Sequence, residues 1–265
     1  MAYYTGSVQA KDLFATLLDK ITMVHPGASE SWWKKESSIE SDSVYVSTGT
    51  SGKDRIIFTF KEGQAGYYLT CGTALDYTPG AANLAGSFSF PKSANMYYFS
   101  AKQDPNVVVN YDLNITKDRI ILHVQGDKLI NGWYNPVLYV GIPVRYDQND
   151  NRCIVRAMSE GWDGSASQPQ IATDSINNAW PSYSWQYVGA ATNPSWGGNY
   201  FTETLHLNYS NEGLRGELEG LYGTAPGKIV DGDIVDIQGT QFKAIQRVAY
   251  GINAFPRDIL LLKMK

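Results

Sequence analysis

Reactive side chains are scarce in this sequence. Its 265 residues hold 3 His and 2 Cys, which leaves little material for histidine chemistry or thiolate clusters. His25, His123 and His206 stand far apart, no pair has the short spacing of a zinc site, and neither Cys71 nor Cys153 lies beside one, so no metal site is expected. One disulfide is open to the two cysteines, but two buried thiols in a cytosol-made protein is the expected state. Charged residues make up only 18%, and the net charge of -4 offers no basic face for nucleic acid. No apolar run approaches the ~20 residues that span a bilayer, and the first residues lack the basic and apolar regions of a signal peptide. The expected site of synthesis is therefore a cytoplasm.

Motif searches exclude more than they include. There is no G-x-S-x-G elbow for a serine hydrolase. Gly49-Thr50-Ser51-Gly52-Lys53-Asp54 has the wrong glycine spacing for a phosphate loop and precedes a strand, so it reads as a hairpin turn. Asp147 to Asn151 opens like a calcium loop, but Arg152 and Met158 replace its Gly and Glu, and a solvated turn is expected. Asp231-Gly232-Asp233 reads as a hairpin turn. Glu160, Asp163, Glu203, Glu217 and Glu219 could be nominated as glycosidase acids, although a sequence cannot bring two of them face to face. No cofactor motif is present, and the chain is read as noncatalytic.

What the sequence has in quantity is aromatic residues and glycine: 18 Tyr, 9 Phe, 7 Trp and 25 Gly. Aromatic and β-branched residues suit half-buried pleated surfaces, and glycine supplies the turns between short strands. One helix is expected near the start, where Phe14, Leu17, Leu18 and Ile21 share a face; Ser7 is its N-cap and His25-Pro26-Gly27 stops it. Short strands follow over Ser43–Ser47, Asp54–Phe60, Gly66–Cys71, Asn95–Ser100, Asn106–Asn110, Arg119–Val124, Asn135–Pro143 and Ile154–Ala157. The prolines of Asn135–Pro143 limit it to an edge or place them at its ends.

Regularity fails from about Glu160 to Tyr200. Four tryptophans there, Trp162, Trp180, Trp185 and Trp196, argue for an ordered, aromatic-pinned excursion and make it the expected contact surface. Anchoring a long loop to its own core accounts for them equally well. The end returns to strands at Asp233–Ile237, Gln241–Gln246 and Asp258–Lys265, with Leu260, Leu262 and Met264 on one buried face and Lys263 and Lys265 facing out.

The expected fold is mainly β: an antiparallel sandwich or partly open barrel with a short N-terminal helix, in a single domain. Within it, 1–30 is the helical lead, 31–158 a β meander, 159–202 the tryptophan-rich excursion and 203–265 a C-terminal β module.

The order of pieces resembles a family of virion structural proteins of large tailed bacteriophages. The likeness is carried by Met1 to Gly6 with its helix, Val44 to Ile56, Tyr67-Tyr68-Leu69 with Gly72 and Tyr77, Asp118 to Leu122, and Tyr139-Val140-Gly141. It is fullest in Gly216 to Tyr222, Val235 to Phe242 and Arg257 to Leu261. It implies a noncatalytic component of the neck, collar, tail or baseplate, with portal, connector, tail or baseplate subunits as partners and a homo-oligomeric ring as its state. The stretch from Glu160 to Tyr200 departs from the pattern. A carbohydrate-binding adhesin module of a phage tail, facing a host glycan, is the alternative, since tryptophan-rich loops stack on sugars. A polysaccharide hydrolase is the third reading.

Overall fold

A computed structural model of the chain describes residues 1–39, 42–54, 56–62, 68–74, 94–97, 105–125, 137–149, 155–158, 170–171, 183–186, 202–209, 213–224, 229–246 and 259–265. Strand β1 (Ala2–Gln9) runs directly into helix α1 (Ala10–Thr22). Strands β2 (Lys34–Ile39), β3 (Asp42–Ser47), β4 (Ile56–Glu62), β5 (Tyr68–Ala74) and β6 (Ala94–Tyr97) come next. They are followed by β7 (Val108–Ile115), β8 (Arg119–Gln125), β9 (Val137–Gly141), β10 (Val144–Arg145), β11 (Val155–Met158), β12 (Gln170–Ile171) and β13 (Tyr183–Gln186). The last five are β14 (Glu203–Tyr209), β15 (Gly213–Thr224), β16 (Ile234–Ile237), β17 (Thr240–Gln246) and β18 (Ile259–Lys263).

These strands form three open antiparallel sheets. A meander sheet keeps chain order, β2-β3-β4-β5-β6. A central sheet has the order β1-β7-β8-β9-β11-β12, and a terminal sheet the order β13-β14-β15-β18-β17-β16 with β10 alongside β15. The fold is mainly β, and its sheets do not close into a barrel. The stretch 31–158 therefore divides: its first half is the meander sheet, and its second half joins β1 in the central sheet and lends β10 to the terminal one.

The central sheet is covered on both faces, because its strands carry two alternating sets of side chains. Val109, Tyr111, Leu113 and Ile115 of β7, with Ile120, Leu122, Val124, Leu138 and Val140, pack against Leu13, Leu17 and Ile21 of α1 and against Trp33, Tyr45, Ile56 and Phe58 from the meander side. Ile121, Val137 and Tyr139 point the other way and meet Leu205, Leu207, Leu218, Leu221, Ile245, Leu260 and Leu262 of the terminal sheet. Each fully buried leucine here contributes about 1.5–3 kcal/mol. The far side of the terminal sheet has a smaller core of Ile229, Phe242, Ala244, Ile259 and Leu261. β18 is thus buried on both faces, with Leu261 as enclosed as Leu260 and Leu262, while Met264 is only half-buried.

Helix α1 buries Ala10, Leu13, Leu17 and Ile21, so Ala10 and Leu13 join the expected stripe while its Phe14 and Leu18 pack half-buried at the rim. Ser7 does not cap it. Ser7 belongs to β1, and Gln9 occupies the cap position with no side-chain cap bond, because the strand continues without a turn into the helix. Asp12 in the first turn and Lys20 in the last complement the helix dipole instead. Pro143 falls outside β9, Pro136 lies outside the described residues, and β9 is an interior strand.

The β7–β8 turn ties the meander sheet to the central sheet. The Trp33 indole N–H donates to the Thr116 carbonyl at 2.8 Å, the Ser47 hydroxyl to the Lys117 carbonyl at 2.6 Å, and the Thr50 backbone N–H to the Asp118 carboxylate at 2.7 Å. The Ile142 N–H donates to the Asp118 carbonyl at 2.9 Å, drawing the end of β9 onto the same turn. Gly141 makes that approach workable: its φ is +132°, and a Cβ there would lie 2.2 Å from the Asp118 carbonyl oxygen.

Candidate functional site

Polar residues alternate with apolar ones along β7, as Asn110, Asp112 and Asn114 between Val109, Tyr111, Leu113 and Ile115. That pattern ordinarily marks a strand with one solvated face. Here the terminal sheet covers Asp112 and Asn114, which become a seam between the two sheets, while Asn110 at the edge of that face stays exposed. Asp112 is its centre and is fully buried. Its carboxylate accepts from the Tyr3 hydroxyl at 2.6 Å and the Lys243 ammonium at 2.7 Å, and meets His123 Nδ1 at 2.9 Å. The four residues come from β1, β7, β8 and β17, so the cluster joins two sheets.

Burial pushes the Asp112 carboxyl up, but hydrogen bonds from His123, Lys243 and Tyr3 and the electrostatic effect of His123 outweigh it and hold the group well below its ordinary value. Burial first, and then the neighbouring Asp112 carboxylate, push the Tyr3 phenol far above its ordinary value. The result is an ionised carboxylate and a neutral phenol at neutral pH. Among the described residues, His123 Nε2 is buried with no hydrogen-bond partner, as is the Asn114 side-chain oxygen.

The seam extends on both sides of Asp112. Asn114 donates to the Lys263 carbonyl at 2.7 Å, which fastens β18 to β7. The Ser7 hydroxyl donates to Asn110 at 2.6 Å, Asn110 to Gln125 at 3.2 Å, and Gln125 to Asp231 at 3.0 Å. At the far end of β8, buried Arg119 donates to Glu219 at 2.7 Å. An arrangement of this kind sets sheet register, since slipping any strand by one residue would strand a buried charge. It resembles a catalytic triad in residue type, but Tyr3 and His123 bond Asp112 within the central sheet and Lys243 reaches it from the terminal sheet, so the cluster fastens two layers together.

A second cluster is exposed. Tyr146, just after β10, brings its hydroxyl within 2.5 Å of His206 Nδ1 and donates to Glu217 at 3.0 Å. Burial and the Glu217 hydrogen bond push this phenol up to about 12. The Tyr146 ring remains 46% exposed, which gives the terminal sheet an accessible aromatic beside an imidazole and a carboxylate.

The residues singled out by sequence are dispersed. Trp162, Trp180 and Trp196 lie outside the described residues, as do Glu160, Asp163 and Cys153. Trp185 falls in β13, at the position paired with the core residue Leu207. Glu203 is paired with Gly223, and Cys71 lies in β5. Glu217 and Glu219 enter separate partnerships, with Tyr146 and with Arg119. His25 is buried, bonds Tyr4 through Nδ1 at 2.8 Å and stacks at 4.2 Å on Trp32.

The three turns can be assigned. Gly49 and Gly52 take positive φ in the β3–β4 hairpin, and the Asn149 N–H donates to Asp147 in a surface turn. Asp231-Gly232 is a turn that leads into β16, whereas the β16–β17 hairpin turns at Gln238-Gly239, both at positive φ as a type I′ turn requires.

Asp112 itself escaped the sequence reading, because an acid in an alternating strand looks solvated. The signal for it was the density of further strands able to cover that face. Among the described residues no group of three His, Cys, Asp or Glu could hold a metal ion, and no helix is long and apolar enough to cross a membrane.

Neither the family models nor the curated proteins contain a match to this chain.

Proposed function

We propose that this chain is a noncatalytic structural subunit of a tailed-phage particle, a neck, collar, tail or baseplate component that assembles as a homo-oligomeric ring with other virion proteins. The reading rests on the resemblance in residue order described above. The observation that supports it is the use of the Asp112 cluster. Tyr3, Asp112, His123 and Lys243 are residue types suited to acid–base work, yet Asp112 and His123 are buried, Tyr3 and Lys243 half-buried, and all three partners are bonded to Asp112 where two sheets meet. Mass spectrometry and immunogold labelling of the purified particles test it. A stoichiometric band and label at the neck, tail or baseplate is the expected result, and absence from the particle refutes it.

A second reading, a carbohydrate-binding module of a phage tail, is favoured by the exposed Tyr146 between His206 and Glu217. Aromatic faces stack on sugars, and the flanking groups could take their hydroxyls. Glycan-array binding that Tyr146→Ala abolishes would promote it. The third, a polysaccharide hydrolase, requires two acids across one cleft and predicts reducing-sugar release.

A further inference from the structure

Among the described residues seven strands lie at the edges of the three sheets: β1 and β12, β2 and β6, β13 and β16, and β10 beside β15. Six of them are short or guarded. β10 and β12 have 2 residues each and β6, β13 and β16 have 4 each, while β2 carries Lys34, Lys35 and Glu36 and is interrupted by a bulge. These are the devices that keep natural sheet edges from pairing with other chains. β1 has none of them. It is 8 residues long, Ala-Tyr-Tyr-Thr-Gly-Ser-Val-Gln, with no charge, no proline and an unbroken register against β7. Among the described residues nothing pairs with its other side.

The backbone groups on that free side can be assigned. The Ala10 N–H donates to the Val107 carbonyl at 2.8 Å, continuing the register in which Gln9 lies opposite Val108. Hydrogen-bonded and non-hydrogen-bonded positions alternate along an antiparallel pair. Ala2, Tyr4, Gly6, Val8 and Ala10 therefore turn their N–H and C=O groups towards β7, and Tyr3, Thr5, Ser7 and Gln9 turn theirs outward. Thr5, Ser7 and Gln9 also have exposed side chains.

We propose that this edge pairs with β1 of a second copy of the chain, antiparallel about a twofold axis through Gly6. The twofold keeps each residue on its own face, so opposed residues must be an even number apart in sequence. The register centred on Gly6 places Thr5 opposite Ser7, Tyr3 opposite Gln9 and Tyr4 opposite Val8. It uses all four outward-facing residues, and it makes hydroxyl–hydroxyl and aromatic–β-branched cross-strand pairs of favourable kinds. A register centred on Thr5 opposes Gln9 to Met1, which lies outside the strand. Because β1 is uncharged, the symmetry brings no like charges together, and a copy of the strand is a complete complement to itself. The product is one continuous sheet across two subunits. The inference stands on the sheet edge and not on the virion reading.

A single strand pair is at the low end of interface size, so the dimer dissociation constant is expected on the order of 10 μM. Sedimentation velocity of the full chain from about 1 to 200 μM reads it. Thr5→Pro removes an outward N–H without touching the bonds to β7. It is expected to raise the dissociation constant about 30-fold, since the twofold deletes the bond twice. A matching circular dichroism spectrum and melt would show that the variant has folded. The double variant Thr5→Lys with Ser7→Lys, which opposes lysine to lysine, should also be monomeric. An oxidised mixture of Thr5→Cys and Ser7→Cys chains is expected to cross-link mainly as the mixed dimer, since hydrogen-bonded pairs lie within disulfide reach. A wild-type chain monomeric throughout, a dimer indifferent to Thr5→Pro and to the lysines, or cross-linking only of Thr5→Cys with itself would each overturn the proposal.

Discussion

Replacing Asp112 by alanine removes the one acceptor shared by three donors. Tyr3, His123 and Lys243 would each lose a bond of 2.6 to 2.9 Å, and Lys243, whose side chain is only 16% exposed, would keep its charge with no counter-ion among the described residues. Leaving one member of a buried pair uncompensated costs about 3–5 kcal/mol. For a chain of this length, each kcal/mol corresponds to roughly 2–4 °C in Tm, so a loss of about 10 °C is expected. The companion variant Asp112→Leu with Lys243→Met removes both charges and should recover much of the loss. Urea unfolding followed by tryptophan fluorescence, run as a double-mutant cycle, measures the coupling directly.

The pH dependence supplies an independent check. The folded state holds the Asp112 carboxyl below its unfolded value, so its contribution is fully present above that value of about 4 and falls away as the pH drops below it. Asp112→Asn should flatten that acid limb. An Asp112→Ala cost below about 1 kcal/mol, with an unchanged acid limb, would refute the seam as a structural lock.

Other perturbations have expected outcomes. Gly141→Ala drives a Cβ to 2.2 Å from the Asp118 carbonyl oxygen and 2.7 Å from Arg119 Cα at φ +132°; a loss of about 3 kcal/mol or more is expected in the same unfolding assay. Deleting residues 260–265 removes the strand between β15 and β17 together with the Lys263 carbonyl that Asn114 bonds, so the chain should be recovered only in the insoluble fraction. Burial pushes the His25 imidazole down, so folding favours its neutral form; the stability lost as the pH falls below the unfolded value of about 6.5 should be reduced in His25→Gln, read as a smaller drop in Tm from pH 7 to 5.

Much of the local structure was legible in the residues. Alternation and β-branching located β3, β4, β8, β16, β17 and β18 to within about two residues, the usual uncertainty of such boundaries. The stripe of Leu17 and Ile21 located α1. β1 was hidden because it has no turn before the helix, and its pairing with β7 spans about a hundred residues of sequence, which no local pattern reports. The seam was hidden for a different reason. Asn110, Asp112 and Asn114 alternate as solvated residues do, and only the three-layer arrangement reveals that another sheet lies over Asp112 and Asn114. The tryptophan cluster stood out by composition, yet Trp185 alone has a described place, opposite a core leucine.

The central proposal is that this chain is a noncatalytic particle subunit whose polar chemistry holds its own layers together. Cryo-EM of the intact particle tests it most directly. The account predicts density for the three-sheet subunit, repeated around a closed ring at the neck, tail or baseplate, with the Asp112 seam inside each copy. Particles that lack this subunit, or a map in which Asp112 and His123 line an open cleft holding bound glycan, would contradict it.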